Sequence, residues 1–210
     1  MTKVIAIGSG KGGSGKTTLT VTLAVRASKE ARRVAIIDLN SDQGNLSQWW
    51  LIRGEPDNPL LFDDFGDLDT LLSTLRRQKY EWVFLDCPPG DLDLTESAIM
   101  ASDAVLVPVK ASAFDAWAAE SVTEICKRRK VPFAFILTAV DSKMKTLNAH
   151  AIKNLSAEGQ VFKSSMAYKA SQINAVVAGK AGFEADKELK PEADAIFTEL
   201  KSLAGGTNGR

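Results

Sequence analysis

The residues best placed to do chemistry are Gly10-Lys11-Gly12-Gly13-Ser14-Gly15-Lys16-Thr17, which fit the spacing G-x-x-x-x-G-K-[ST]. Glycines at this spacing let backbone N–H groups curl around phosphates, and a helix that follows adds the positive end of its dipole. Lys16 would contact the outer phosphates of a nucleotide and the Thr17 hydroxyl would ligate Mg²⁺, with Thr18 beside it in the binding loop. The stretch also holds a G-x-G-x-x-G pattern from Gly8 to Gly13, with Asp38 placed like a ribose-binding acid. That dinucleotide reading leaves Lys16 and Thr17 without a task, so phosphate-loop chemistry on a nucleoside triphosphate is the expectation.

Two carboxylates are expected at the same place. The apolar run Val34-Ala35-Ile36-Ile37 ends in Asp38, and Trp82-Val83-Phe84-Leu85 ends in Asp86. Each reads as a strand delivering an aspartate to the C-terminal edge of a parallel sheet, where such sheets bind ligands. Pro88 and Pro89 stop the second strand, and Cys87 is a small residue packed beside the nucleotide. Cys87 and Cys126 are too far apart for a C-x-x-C pair, and the single histidine, His150, reads as a surface residue, so no redox pair, cluster or zinc site is expected.

Positioning these groups requires a scaffold, and its elements are visible. Apolar runs at 4–7, 34–37, 82–85, 104–107 and 133–137 alternate with helical periodicity at 16–29, 68–78, 114–125, 170–178 and 191–203. This predicts an α/β fold: a single-domain P-loop NTPase with a mostly parallel central sheet flanked by helices on both faces, spanning 1–203 and followed by a glycine-rich tail at 204–210. Phe114, Trp117, Ala118, Ser121, Val122 and Ile125 form one stripe, predicted to cover a sheet face, opposite Asp115, Glu120, Glu124 and Lys127. Phe114, Trp117 and Val122 are assigned to the core, and one of Trp49 and Trp50 is expected to pack inside.

The chain has 210 residues with 26 basic and 26 acidic side chains, so bulk attraction to nucleic acid is excluded and any DNA contact must be a local patch. No apolar run reaches the length needed to span a bilayer.

Lys11 is one cation more than a phosphate loop needs. Lys11-Gly12-Gly13-Ser14-Gly15-Lys16-Thr17 resembles the deviant Walker A motif of the ParA/MinD superfamily, whose signature is this early lysine. The resemblance extends to Asp86-Cys87-Pro88-Pro89-Gly90 as the Walker B segment, to Ala101-Ser102-Asp103-Ala104-Val105-Leu106-Val107-Pro108-Val109, and to the closing region from Met166. It implies ATP and Mg²⁺ as cofactors, Asp86 supporting the metal through water with Thr17 and Asp38 close to it, and a homodimer in which Lys11 reaches the partner's ATP. Relatives carry D-x-D-P-Q-G where this chain has Asp38-Leu39-Asn40-Ser41-Asp42-Gln43-Gly44. The water-positioning role therefore falls on Asn40 if the segments align without a gap, or on Asp42 if one residue is inserted. Ser164-Ser165 also departs from the arginine common in relatives.

As a small member without an N-terminal helix-turn-helix extension or an amphipathic membrane anchor, the chain resembles a ParA-type partition ATPase. This implies a cytoplasmic, nucleoid-associated switch with slow, partner-stimulated ATP hydrolysis, non-specific DNA binding by the ATP-bound dimer, and a centromere-binding ParB-like adaptor. Lys127-Arg128-Arg129-Lys130 is either a favourable helix C-terminus or a phosphate-contacting patch, joined by Lys169, Lys180 and Lys187. The same switch could instead position a chemoreceptor array, a carboxysome or a secretion machine, and a third reading is a metabolic ligase of the dethiobiotin synthetase type.

Overall fold

The computed structural model describes residues 1–40 and 44–206. Seven strands, β1 (Lys3–Ile7), β2 (Val34–Asp38), β3 (Leu60–Phe62), β4 (Trp82–Asp86), β5 (Ala104–Lys110), β6 (Phe133–Thr138) and β7 (Gln160–Val161), form one sheet in the order β3-β2-β4-β1-β5-β6-β7. Every pairing is parallel. Parallel strands need crossovers, and these are α1 (Lys16–Ala27), α2 (Asn45–Ile52), α3 (Leu68–Arg77), α4 (Leu92–Met100), α5 (Ala113–Arg129) and α6 (Lys145–Glu158), followed by α7 (Ala170–Val177), α8 (Gly182–Ala185) and α9 (Lys190–Gly205).

Alternation along each strand splits the core in two. Ile5 and Ile7 join Leu19 and Leu23 of α1 and Ile196 and Phe197 of α9, while Val4 and Ala6 join Leu72 of α3, Ile99 of α4 and Val122 of α5. With both faces covered, the strands read as continuous apolar runs, which is what made them visible. Helix starts are also local: Asp67, Asp91 and Ser112 each accept a backbone N–H three residues on.

Three expectations need correction. Phe114 and Trp117 are not core residues: they are 73% and 61% exposed, whereas Val122 is buried. The face of α5 that meets the sheet is instead Asp115, Ala119, Val122, Thr123 and Cys126, so Asp115 is not on the solvent side. The tail does not begin at 204, because α9 runs through Gly205, and the carbonyl of the fully buried Ala204 accepts a bond of 2.7 Å from Lys3 Nζ. Trp49 is buried, with Trp50 half-buried against the same cluster, and His150 is exposed.

Candidate functional site

Residues 8–15 connect β1 to α1, and three neighbours pin them. Gly8 N–H donates to Leu106 of β5, and Thr138 at the end of β6 donates its hydroxyl to the Ser14 carbonyl at 2.7 Å. Gly10 lies so close to α5 that a Cβ there would stand 2.1 Å from the Ala118 carbonyl oxygen, which only glycine permits. Gly15 takes φ 97 beside Thr138. A Cβ at Gly12 or Gly13, by contrast, would meet no atom within 4 Å. The loop is thus rigid where it touches protein and open along the stretch a phosphate would occupy.

Lys16 is buried and its Nζ donates to the Lys11 carbonyl at 3.1 Å, across the loop. Burial lowers its pKa, opposed by the charge of Asp86. Asp38 and Asp86 are paired in register at the ends of β2 and β4. Asp86 accepts the Thr17 hydroxyl at 2.7 Å and that of Thr20 at 3.1 Å. Burial foremost, with the charge of Asp38 adding, pushes the Asp86 carboxyl up to about 7 despite these bonds. Burial likewise raises Asp38, whose Oδ1 accepts the Asn40 N–H at 2.8 Å. Asp42 lies outside the described residues.

These groups fit Mg²⁺ and a nucleotide. Two buried carboxylates side by side, with a hydroxyl between them and the loop, are hard oxygen donors poised for a divalent cation. Among the described residues no group of three or more His, Cys, Asp or Glu could cage a metal alone; Mg²⁺ takes one or two protein oxygens and completes its shell with phosphates and water. The loop glycines and the N-terminus of α1 are the matching anion site.

Lys11 sits differently. Its side chain is 38% exposed and its Nζ lies 2.8 Å from an Asp115 oxygen that also takes a short hydrogen bond from Ser112. Burial works against the Asp115 charge, but the bonds from Lys11 and Ser112 outweigh it and hold the carboxyl below its usual range. Sequence reasoning did not bring Asp115 to Lys11; the spacing Ser112-x-x-Asp115, a helix start, is its one local signal.

A cleft of about 460 Å³ opens beside the loop, between Ser14, Thr18 and Thr138 on one side and Tyr168, Gln172 and Val176 on the other. Gln172 Oε1 is buried there without a partner. Ser14 and Thr18 belong to the loop motif, whereas sequence reasoning did not assign Thr138, Tyr168, Gln172 and Val176 to the site. The α7 wall is tied to α2 by Arg53, which stacks on Trp49, donates to the Gly179 carbonyl at 2.9 Å and grips Glu184 at 2.7 and 3.0 Å. Burial would raise Glu184, yet Arg53, the Ala181 N–H and Lys29 bring it down to about 2.

The basic run lies at the other edge of the sheet, after α5 and before β6. Lys127 pairs with Glu158 at 2.9 Å, and Arg128 and Arg129 both grip Glu96, at 2.8 and 2.6 Å. Lys169 pairs with Asp186 and Glu188. Both cysteines are buried, with the Cys87 thiol raised by burial and Cys126 pushed up to about 12. No helix among the described residues is long and apolar enough to cross a membrane.

Residues 5–181 match the profile of the CobQ/CobB/MinD/ParA nucleotide-binding domain. The chain is 28% identical over 210 residues to the maintenance of carboxysome distribution protein A of Halothiobacillus neapolitanus, covering 95% of each protein. It is 32% identical over 136 residues to the chromosome-partitioning ATPase Soj of Thermus thermophilus, covering 51% of this chain and 54% of that one. The fold superposes on the septum site-determining protein MinD of Pyrococcus horikoshii, solved with Mg-ADP, with a TM-score of 0.74 at 19% identity over the whole of both chains.

Proposed function

The chain belongs to the CobQ/CobB/MinD/ParA nucleotide-binding family, and on that premise we propose that it is an ATP-dependent dimerising switch for the segregation of plasmid or chromosomal DNA. The observation that carries this reading is the contrast between its two loop lysines. Lys16 is buried within its own loop, whereas Lys11 is partly exposed and held on α5 away from that loop's phosphate cradle. One cation suits the chain's own nucleotide; the other, paired with Asp115 outside that cradle, would exchange this partner for a second copy's phosphate.

In this reading the loop backbone from Gly12 to Gly15, open at Gly12 and Gly13, and Lys16 would hold the phosphates of ATP, and Thr17 with Asp86 would hold Mg²⁺, with Asp38 beside them. Mg²⁺ held there would supply charge neutralisation for phosphoryl transfer. Asn40 or Asp42 orients the attacking water, and an amide in that role orients water without accepting its proton, which suits slow hydrolysis stimulated by an adaptor. Phosphoryl transfer depends mainly on positioning and charge, so a weak water-orienting residue sets the lifetime of the dimer.

Non-specific DNA is the proposed partner of the dimer and a centromere-binding adaptor its release factor, which places the switch on the nucleoid. With Lys127, Arg128 and Arg129 engaged by Glu96 and Glu158, that run supports helix termination more than DNA contact. Arg32, Arg33, Arg77 and Lys79 line an open cleft with Glu30 and Glu81 and offer a second basic group. A second reading, the same switch positioning a non-DNA cargo, is favoured by the full-length match to a carboxysome distribution protein. Anisotropy of a random-sequence duplex, with ATP–Mg²⁺, with ADP–Mg²⁺ and without nucleotide at two salt concentrations, tests the DNA reading. Salt-sensitive binding with ATP alone is expected; no binding in any state would sink it.

A further inference from the structure

Phe114 and Trp117 are large aromatics left outside the core, with 73% and 61% of their surface exposed and their rings edge to face at 5.5 Å. They flank Asp115, the residue that holds Lys11, on the first turns of α5. Within the next two turns, the same helix seats Gly10 against Ala118 and Ser121. The aromatic pair therefore borders the phosphate loop and the cation that the dimer reading sends across to a second copy.

From this placement we infer that Phe114 and Trp117 anchor the ATP-dependent contact between two copies of this chain. The inference rests on the proposed dimer and adds which residues hold it. For Lys11 to reach a phosphate on a partner, the partner must come up to the start of α5, because that is where Lys11 lies. A two-fold contact brings the same patch from both copies, so four rings are covered together. At about 150–250 Å² per aromatic side chain, the exposed fractions amount to roughly 500 Å², near a third of a standard interface of about 1,600 Å². Aromatic residues at the centre of a contact are also the side chains that most often dominate its energy.

The experiment uses the full chain with Mg²⁺ and a non-hydrolysable ATP analogue. Sedimentation velocity reads the dimer, and a fluorescent nucleotide reads binding by the monomer. The double variant Phe114→Ala with Trp117→Ala is expected to bind nucleotide as the native chain does and to dimerise at least about 30-fold more weakly. Independently, Ala113→Cys places one accessible thiol next to Phe114 with both rings kept and the chain's own two thiols buried, and a maleimide is expected to modify it freely without nucleotide and slowly with it, the protection growing with protein concentration. This labelling decides the matter if the double variant fails to fold. Native-strength dimers of the double variant, or a thiol that stays reactive inside a dimer, would overturn the inference and leave the dimer reading standing, with this surface open to an adaptor. A native chain that binds nucleotide and stays monomeric would overturn both.

Discussion

Two glycines of the phosphate loop, two residues apart, should fail in opposite ways. At Gly10 an alanine methyl would stand 2.1 Å from the Ala118 carbonyl oxygen and 2.8 Å from Ser121 Oγ, closer than any real Cβ tolerates. Loop or helix must move by roughly 1 Å, an overpacking cost of about 1–3 kcal/mol. In a chain of this size that lowers the melting temperature by about 2–12 °C. At Gly12 the same methyl meets no atom within 4 Å, and the backbone there is not left-handed. The Gly12→Ala chain should therefore melt within about 0.5 kcal/mol of the native one. Its methyl instead occupies the open side of the loop, where phosphate oxygens would approach the backbone N–H groups. Losing one charge-assisted bond there costs about 1.5–3 kcal/mol, a factor of about 10–150 in nucleotide affinity. Thermal melts of the nucleotide-free chains and titration with a fluorescent ATP analogue read the two quantities separately. Gly12→Ala binding nucleotide within twofold of the native chain would refute the phosphate cradle.

Other predictions follow from the same geometry. Lys16→Ala should lose nucleotide binding in that titration, whereas Lys11→Ala should keep it and lose the ATP-dependent dimer; a nucleotide-bound dimer of Lys11→Ala would sink the cross-subunit role. Asp86, pushed up to about 7 by burial and by Asp38, keeps in the folded chain a proton that the unfolded chain releases near pH 4. Stability of the nucleotide-free protein should therefore fall as pH rises from about 4 to 7, and urea unfolding of Asp86→Asn should show that arm flattened. Glu184 is brought down to about 2 by Arg53, the Ala181 N–H and Lys29. Its stabilisation is complete above about pH 4.5 and is lost as pH falls toward 2. Glu184→Gln should lower stability at pH 7 by about 2 kcal/mol and remove that acid-side slope.

The legible parts of this molecule are those whose causes are local. The phosphate loop is eight consecutive residues whose glycines and lysine declare their purpose by spacing alone. The five longer strands are legible because both faces of the sheet are covered, leaving uninterrupted apolar runs. β3 and β7 are three and two residues long, too short to carry a period. They are strands because β2 and β6 present unpaired edges to them. Tyr168 and Gln172 become part of the cleft only when α7 is folded back beside the loop, a contact across some 150 residues that no window of sequence contains.

The start of α5 shows where periodicity stops informing. The spacing of Phe114, Trp117, Ala118 and Ser121 correctly puts them on one face, but a period says which residues share a face and nothing about what that face meets. Here α5 starts just past the end of β5, so the first turns of the stripe stand beyond the sheet edge. The same face reaches Gly10 at Ala118 and Ser121, and only Val122 and Ile125 enter the core. The face beneath it, read as polar because it begins with an aspartate, is the one that packs, since Lys11 and Ser112 neutralise Asp115 as it is buried. A hydrophobic stripe that a core does not absorb and an acid that a core does are departures from local logic, and such departures concentrate where function is built. Both fall within four residues of each other, against the loop that is to bind nucleotide. One helix thus seats the phosphate loop, holds Lys11 through Asp115, and offers the rings that a second copy would cover in the proposed dimer.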